Sequence, residues 1–147
     1  MIYKEETRDL FSVPDDYYLA HCISADFGMG KGIAVEFNKH FDMKHNLQTK
    51  YPDYINEWHK HRYLGKCIVE GRVLNLVTKE RYFHKPTYES MANALYEMMS
   101  MCVTNGITKV AMPIIGCGLD RLKWDRVSEM IQEIFFDIDI EILVCKQ

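Results

Sequence analysis

The chain has few of the features that direct a protein into a membrane or out of the cell. No window approaches the run of about 18 apolar residues that a membrane-spanning helix needs. The first segment, MIYKEETRDLF, is charged and lacks an apolar stretch of signal-peptide length. The five cysteines are odd in number and show no CxxC spacing, which disfavours a disulfide framework or a structural zinc site. These absences predict a cytoplasmic protein with reduced thiols and no membrane contact.

The chain also has no excess of positive charge, because its 18 Lys and Arg residues are outnumbered by 21 Asp and Glu residues and the formal net charge is −3 at pH 7. A broad basic surface that follows a nucleic acid is therefore not expected. A small anionic ligand is still compatible with this balance, since backbone N–H groups and helix N-termini hold phosphates without net positive charge. Neither His21 nor His84 has metal-ligand spacing to another histidine, so no metal and no cofactor are predicted.

What the chain does contain is an alternation of strand and helix patterns along its whole length. It has 147 residues, 48% of them hydrophobic, and no linker, repeat or low-complexity tract interrupts them. This size and continuity predict one domain over residues 1–147. Alternating strands and helices favour an α/β fold with a mostly parallel sheet that is covered on both faces.

The individual elements are predicted from apolar runs and from apolar residues at helical spacing. The predicted strands are 19–24, 67–70, 72–77, 109–112 and 140–144. Helices are predicted from residue 33, over 88–105 and around 127–135. The polar region 43–61 is predicted to be an exposed helix or loop with a break at Tyr51–Pro52.

Two glycine-containing loops follow predicted strands, at residues 28–32 and 115–118. Ligands of α/β folds collect at the carboxyl ends of strands, so the two loops are expected at one edge of the sheet. Glycine lets the backbone approach a ligand closely and aim N–H groups at an anion. GMGKG matches neither the dinucleotide-binding nor the Walker pattern. Either loop alone is equally explained as a packing turn, but two loops at one edge predict a diphosphate site.

Five segments together give the chain its resemblance to a known family. They are Asp9-Leu10-Phe11, the HCIS run 21–24, Met29–Ala34, the HKPTYE run 84–89 and the IGCGLDRL run 115–122. The chain resembles the macrodomain family and, within it, the terminal ADP-ribose protein glycohydrolase branch. The resemblance implies a three-layer α/β/α fold with a central mixed, mostly parallel sheet and an ADP-ribose cleft at the sheet edge.

The resemblance also assigns site residues. Lys85 and Asp120 match the catalytic lysine and aspartate of the branch, and a wider set of positions is implied to contact ADP-ribose. This set is Asp9, Leu10, Ser24, Met29, Gly30, Gly32, Ile33, Ala34, Ile114, Ile115, Gly116, Cys117, Gly118, Leu119 and Gln147. Two positions depart from the wider family. Arg8 replaces a common glycine, and Ser24–Ala25 replace an asparagine-bearing segment that orients the distal ribose elsewhere.

The implied function is hydrolysis of the ester between ADP-ribose and a Glu or Asp side chain, together with deacylation of O-acyl-ADP-ribose. Lys85 would form a covalent adduct and Asp120 would act as general acid and base; alternatively, Asp120 would activate water directly. ADP-ribose and ADP-ribosylated proteins are the implied partners of a monomer. A non-catalytic ADP-ribose reader, or an enzyme acting on ADP-ribosylated nucleobases or ADP-ribose 1″-phosphate, is the alternative.

Overall fold

A computed structural model describes residues 1–147 as a six-stranded sheet between two layers of helices. The three-layer α/β/α prediction is therefore confirmed. The elements, in chain order, are β1 (Ile2–Thr7), β2 (Tyr18–Ser24), α1 (Ile33–Phe41), α2 (Met43–Lys50), α3 (Tyr54–His61), β3 (Lys66–Glu70), β4 (Val73–Lys79), α4 (Tyr88–Asn105), β5 (Lys109–Met112), α5 (Trp124–Ile134) and β6 (Glu141–Lys146).

The sheet has the strand order β1-β6-β5-β2-β4-β3, and every neighbouring pair is parallel except β3 with β4. That antiparallel pair is a hairpin that turns at Gly71, whose φ is +58°. Five parallel strands consequently end at the same edge of the sheet. The segments that leave these strand ends converge there, as expected for a ligand site of an α/β fold.

Side chains that alternate along the strands feed two separate cores. The front layer consists of α1, α2 and α3, and its core includes Leu19, Phe37 and Val73. The back layer consists of α4 and α5, and its core includes Leu95 and Phe135. All of these side chains are buried, so the helices cover both faces of the central strands β2, β4, β5 and β6.

The prediction for α4 matches the observed helix because both ends carry local signals. Thr87 caps the helix by accepting a hydrogen bond from the Ser90 N–H at 3.0 Å, and the Ser90 hydroxyl accepts one from the Thr87 N–H at 2.9 Å. Gly106 ends it with a φ of +65°, a conformation that glycine adopts without steric cost. The apolar stripe between these caps faces the sheet.

Two features were missed from the sequence. β1 was not predicted, because an edge strand of sequence IYKEET exposes nearly all of its side chains and shows no apolar alternation. The region 43–61 is helical, mostly exposed and broken at 51–53, as predicted, but three of its side chains are not exposed. Met43, Leu47 and Trp58 are buried in the front core, since each short helix needs only one or two apolar side chains to dock. None of the helices combines the length and hydropathy needed to cross a bilayer.

Candidate functional site

A cleft of about 1450 Å³ opens at the edge where the five parallel strands end. Every one of these strands contributes to it. Residues 9–11 follow β1, and residues 28–34 follow β2. Lys79 is the last residue of β4, and part of the segment that follows it also lines the cleft. Residues in the range 113–120 follow β5, and Cys145 and Gln147 lie at the end of β6. The cleft is therefore a direct product of the parallel topology.

One wall of the cleft is the loop between β2 and α1. The backbone of Phe27, Met29 and Gly32 has positive φ, which turns the chain sharply before α1 begins at Ile33. No side chain caps this helix, so its first N–H groups face the cleft without a side-chain acceptor. Such a helix start attracts an anion through its N–H groups and its dipole.

The opposite wall is the loop between β5 and α5. Gly116 has a φ of +74°, and a Cβ at this position would lie 2.5 Å from Met91 Cε and 3.1 Å from Leu122 Cδ1. Only glycine fits there without displacing the core beneath. Leu119, from the same loop, reaches across the cleft until its Cδ1 lies 3.8 Å from the place that a Cβ of Gly32 would occupy. The two glycine loops thus face each other, as their sequence positions predicted.

Lys79 and Asp120 form an ion pair within the cleft. Lys79 Nζ lies 2.8 Å from Asp120 Oδ1, and the two side chains are only 14% and 16% exposed. Lys79 is the last residue of β4, whereas Asp120 comes from the loop after β5. An amine and a carboxylate from different strand ends are therefore held in hydrogen-bond contact, where limited solvent strengthens their interaction.

Lys85 lies in the same cleft but makes a different contact. Its side chain is exposed, and Nζ donates a hydrogen bond of 2.5 Å to the carbonyl oxygen of Leu119. No hydrogen bond or ion pair joins Lys85 to the Asp120 carboxylate, which contacts Lys79 instead. Sequence reasoning missed Lys79, although its position at the end of a predicted parallel-sheet strand was a usable signal.

The residues expected to contact ADP-ribose line the cleft with one exception, Gly118. Its neighbours Cys117 and Leu119 do line the cleft. Two of the expected polar contacts are engaged within the protein. Ser24 Oγ donates to Asp26 Oδ1 at 2.5 Å, and Asp9 Oδ1 accepts from the Phe11 N–H at 3.0 Å while capping a short 3₁₀ turn.

The sequence of the chain matches a described protein family over most of its length. The profile described as Macro domain matches residues 21–131. The chain belongs to the macro domain family. Human ADP-ribose glycohydrolase OARD1 is 46% identical over 137 residues, which cover 92% of this chain and 86% of that protein. DNA ADP-ribosyl glycohydrolase of Thermus aquaticus is 25% identical over 114 residues, covering 71% of this macro domain and 30% of that protein.

Solved structures confirm the macro domain fold independently of close sequence similarity. The macrodomain of Thermus aquaticus DarG superposes with a TM-score of 0.79, covering 99% of both chains at 21% identity. At this identity the likeness concerns the fold alone. It supports the three-layer arrangement of the chain.

Aromatic side chains that the sequence did not single out surround the mouth of the macro domain's cleft. Tyr82 and Phe83 are 63% and 65% exposed, and their rings meet edge to face with centroids 5.4 Å apart. Leu119 adds a third exposed apolar side chain near them. At the other end of the lining, Phe11 stacks on His40 with ring centroids 4.2 Å apart. The cleft therefore offers exposed aromatic rings to a ligand beside its charged side chains.

Three thiols line the cleft (Cys22, Cys117 and Cys145), and burial raises the pKa of each, so their environment does not activate them. Burial raises the pKa of Cys22, and the nearby Asp120 carboxylate adds to that increase. Burial likewise raises the pKa of Cys117, with smaller contributions from Asp120 and Asp125. A thiol with a raised pKa stays protonated near neutral pH and is a poor nucleophile. The amine and carboxylate of the Lys79–Asp120 pair are consequently the better candidates for chemistry.

Proposed function

We propose that this macro domain is an ADP-ribosyl-acceptor hydrolase in which Lys79 and Asp120 are the reacting pair. The observation that carries the proposal is the 2.8 Å contact between Lys79 Nζ and Asp120 Oδ1, shielded from solvent within the cleft. The identity of 46% to a protein named ADP-ribose glycohydrolase supports hydrolysis as the reaction class. The substrate that we propose is an ester between ADP-ribose and a Glu or Asp side chain.

The walls of the cleft suggest how ADP-ribose lies in it. The diphosphate would lie between the start of α1 and the loop at 115–118, where backbone N–H groups and positive-φ glycines cluster. The adenosine half would lie toward Leu10 and Phe11, and the distal ribose toward Lys79 and Asp120. A diphosphate held at one place limits the motion of the distal ribose, which brings its anomeric carbon near the amine.

The proposed reaction begins with proton transfer along the existing hydrogen bond. When the Lys79 ammonium gives a proton to the Asp120 carboxylate, a neutral amine results. Its lone pair attacks the anomeric carbon as the bond from that carbon to the ester oxygen breaks, and the acceptor leaves as a carboxylate. Water then hydrolyses the Lys79 adduct, with Asp120 exchanging the protons, and frees ADP-ribose. O-acyl-ADP-ribose, another ester, is the second substrate that we propose for this chemistry.

Lys79 is a better candidate for the reacting amine than Lys85. It has a carboxylate partner within hydrogen-bond distance, whereas Lys85 donates to a carbonyl oxygen that cannot accept the proton permanently. Lys79 also extends from a strand end, which holds a reacting group more firmly than an exposed loop does. The family-based assignment of Lys85 is thus the competing proposal.

Trapping with borohydride during turnover tests the covalent route. Opening of the sugar ring converts the N-glycosyl adduct into an imine, and borohydride reduces that imine to a stable secondary amine. ADP-ribose should then remain attached to the protein, and peptide mapping should locate it at Lys79. An adduct at Lys85 would overturn our assignment of the amine. Absence of any adduct in an enzyme that turns over would favour the direct route, in which Asp120 activates water and Lys79 stabilises negative charge.

The non-catalytic reader is separated from the hydrolase by activity measurements on three proteins. Wild type, Lys79→Ala and Asp120→Asn are incubated with a Glu-linked ADP-ribosylated protein, and released ADP-ribose is measured. We expect release by the wild type and a loss of about 10²–10⁴-fold in Asp120→Asn, the range for a proton-transferring group. Equal retention of the label in all three samples would indicate a reader.

An ADP-ribosylated nucleobase is a second candidate substrate, and the exposed Tyr82–Phe83 pair at the mouth of the cleft favours it. Aromatic side chains stack on bases regardless of sequence. The 25% identical relative is named for DNA ADP-ribosyl hydrolysis. Comparing release from ADP-ribosylated single-stranded DNA and from the protein ester separates the two substrates. Tyr82→Ala should impair only the DNA reaction if the ring stacks on the base.

A further inference from the structure

Asp26 lies just outside the cleft lining and accepts three hydrogen bonds through one carboxylate. Its Oδ1 accepts from Ser24 Oγ at 2.5 Å and from the Gly28 N–H at 3.1 Å. Its Oδ2 accepts from the Tyr82 N–H at 3.0 Å. The carboxylate therefore joins two segments that are 56 residues apart in sequence, the loop before α1 and the segment after β4.

Backbone contacts make this junction continuous with Lys79. The Ala25 N–H donates to the Lys79 carbonyl at 2.9 Å, and the Asp26 N–H donates to the Glu80 carbonyl at 3.1 Å. These bonds extend the β2–β4 pairing beyond the irregularity between Ile23 and Ser24. Asp26 thus fixes the chain directly after Lys79, the residue that carries the proposed reacting amine.

The two segments also touch directly, without space for another atom. A Cβ at Gly28 would lie 2.5 Å from Tyr82 Cβ, so the loop before α1 and the segment after Lys79 are in van der Waals contact. The turn before α1 includes Phe27 and Met29 at positive φ, a conformation that costs free energy in residues other than glycine. Hydrogen bonds to the Asp26 carboxylate compensate for that strain by fixing both sides of the turn.

We infer that Asp26 is a positioning residue, which fixes Lys79 relative to the loop that grips the diphosphate. The inference rests on the proposed function, since it concerns how far the Lys79 amine reaches toward the distal ribose. Asp26 does not itself line the cleft, although the three residues that donate to its carboxylate do. Its effect is transmitted through the Gly28 and Tyr82 N–H groups and the adjacent backbone pairing.

This role predicts a selective effect on turnover. The grip on the diphosphate comes from the loop's own N–H groups, so affinity for ADP-ribose should largely survive loss of the Asp26 carboxylate. The distance between amine and anomeric carbon should become variable, and a misplacement of about 1 Å costs about 10²-fold in rate. The measurable consequence is a fall in kcat without a matching rise in KM.

Asp26→Asn is the discriminating variant. The amide keeps one acceptor oxygen, but its NH₂ group must face either the Gly28 N–H or the Tyr82 N–H, where donor meets donor. We expect kcat to fall by about 10-fold or more, with KM and the Kd for ADP-ribose within about 3-fold of wild type. The matched control is Asp53→Asn, the same chemical change at an exposed carboxylate of the front layer outside the cleft, and it should leave both constants unchanged.

Calorimetric titration with ADP-ribose supplies the second measurement, because its stoichiometry reports the fraction of each variant that is folded. A kcat that falls only in proportion to this fraction would overturn the inference, as would an unchanged kcat. A rise in KM and Kd at constant kcat would also overturn it, by showing that Asp26 shapes the binding loop instead. Lys79→Ala is measured in parallel. If that variant stays active the proposed reacting pair is wrong, whereas an inactive Lys79→Ala beside a normal Asp26→Asn refutes the positioning role alone.

Discussion

The front and back layers bury cores of the same size but of different composition. Each core contains 19 buried apolar residues, so neither face of the sheet dominates the burial. In the back core, methionine and aliphatic side chains predominate, and the buried Ser90 of α4 is already engaged in the cap of its own helix. The front core surrounds the buried His21–Asn75 pair, and His21 stacks on Phe37 with ring centroids 3.7 Å apart. The back layer therefore contributes packing, whereas the front layer combines packing with polar groups that need partners.

The two layers also differ in backbone conformation. Four of the five non-glycine residues with positive φ belong to front segments: Phe27, Met29, Asp42 and Arg62. The long back helix α4 is capped at both ends, by Thr87 and by Gly106. Strained backbone occurs where a structure serves a site at the expense of stability. The contrast implies that substitutions in the back layer change stability without changing catalysis, and that front substitutions change both.

The largest expected effect on stability comes from the back core. Leu95→Ala removes a fully buried side chain from α4, and such a change costs about 2–5 kcal/mol in unfolding free energy. Urea unfolding measures this loss, while kcat and KM for the folded fraction should stay at wild-type values. The control on the same helix is Val103→Ala, at an exposed position, with an expected change of about 0.5 kcal/mol or less. A changed KM in Leu95→Ala would show that the layers are coupled.

Gly65→Ala should have a somewhat smaller effect on the same layer. A Cβ at residue 65 would lie 2.2 Å from the Ser90 carbonyl oxygen and 2.7 Å from the Ala94 backbone nitrogen. Both contacts are with the backbone of α4, so no side chain can rotate away. Overpacking of this kind costs about 1–3 kcal/mol. Thermal unfolding measures the effect, and the matched change Gly71→Ala meets no atom within 4 Å, although its positive φ still carries some strain. Equal melting temperatures for the two variants would contradict the steric explanation.

The front layer should show a pH dependence that the back layer lacks. Burial lowers the pKa of His21 to about 4, and the hydrogen bond with Asn75 opposes this only in part. Because an unfolded histidine titrates near 6.5, the unfolded state binds more protons as pH falls below that value. Stability conferred by neutral His21 is complete above about pH 6.5, and about 2 kcal/mol of it is lost by pH 5.

Urea unfolding at pH 7 and pH 5 tests this dependence. His21→Gln should flatten the difference between the two pH values, because the amide has no proton to gain. His45→Gln removes an exposed imidazole from the same layer and serves as the control, with the pH dependence retained. If wild type is equally stable at both pH values, His21 is not the group that links the front core to pH.

The two layers also differed in how well the sequence predicted them. In the back layer, regular apolar spacing and explicit caps gave α4 its observed bounds at Tyr88 and Asn105. In the front layer, α2 and α3 have few apolar residues, so their burial depends on contacts that the sequence pattern does not encode. β1 escaped prediction for a related reason, since an exposed edge strand lacks alternation.

The candidate site could be predicted as a place but not as a set of contacts. The two glycine loops were expected at one sheet edge because parallel strands end together, and they line one cleft. The partner of Asp120 could not be predicted, because it depends on which strand pairs with β2 on the side away from β5. That strand is β4, and Lys79 is its last residue. A nearby lysine in a more distinctive motif, Lys85, drew the assignment instead.

The smallest predicted effect concerns Lys85. It compares two lysines of the cleft, Lys79 in its shielded ion pair and Lys85 at an exposed position. Lys85→Met removes one charged hydrogen bond to the Leu119 carbonyl, and exposed interactions of this type contribute about 1 kcal/mol or less. Because the bond joins the segment after β4 to the loop after β5, its loss should raise KM by about 2- to 5-fold and leave kcat within about 2-fold. Lys60→Met, at an exposed position of α3, is the control in the same steady-state assay. If kcat instead falls by about 10²-fold or more, the scale of a lost catalytic group, Lys85 is the reacting amine and Lys79 is a structural partner of Asp120.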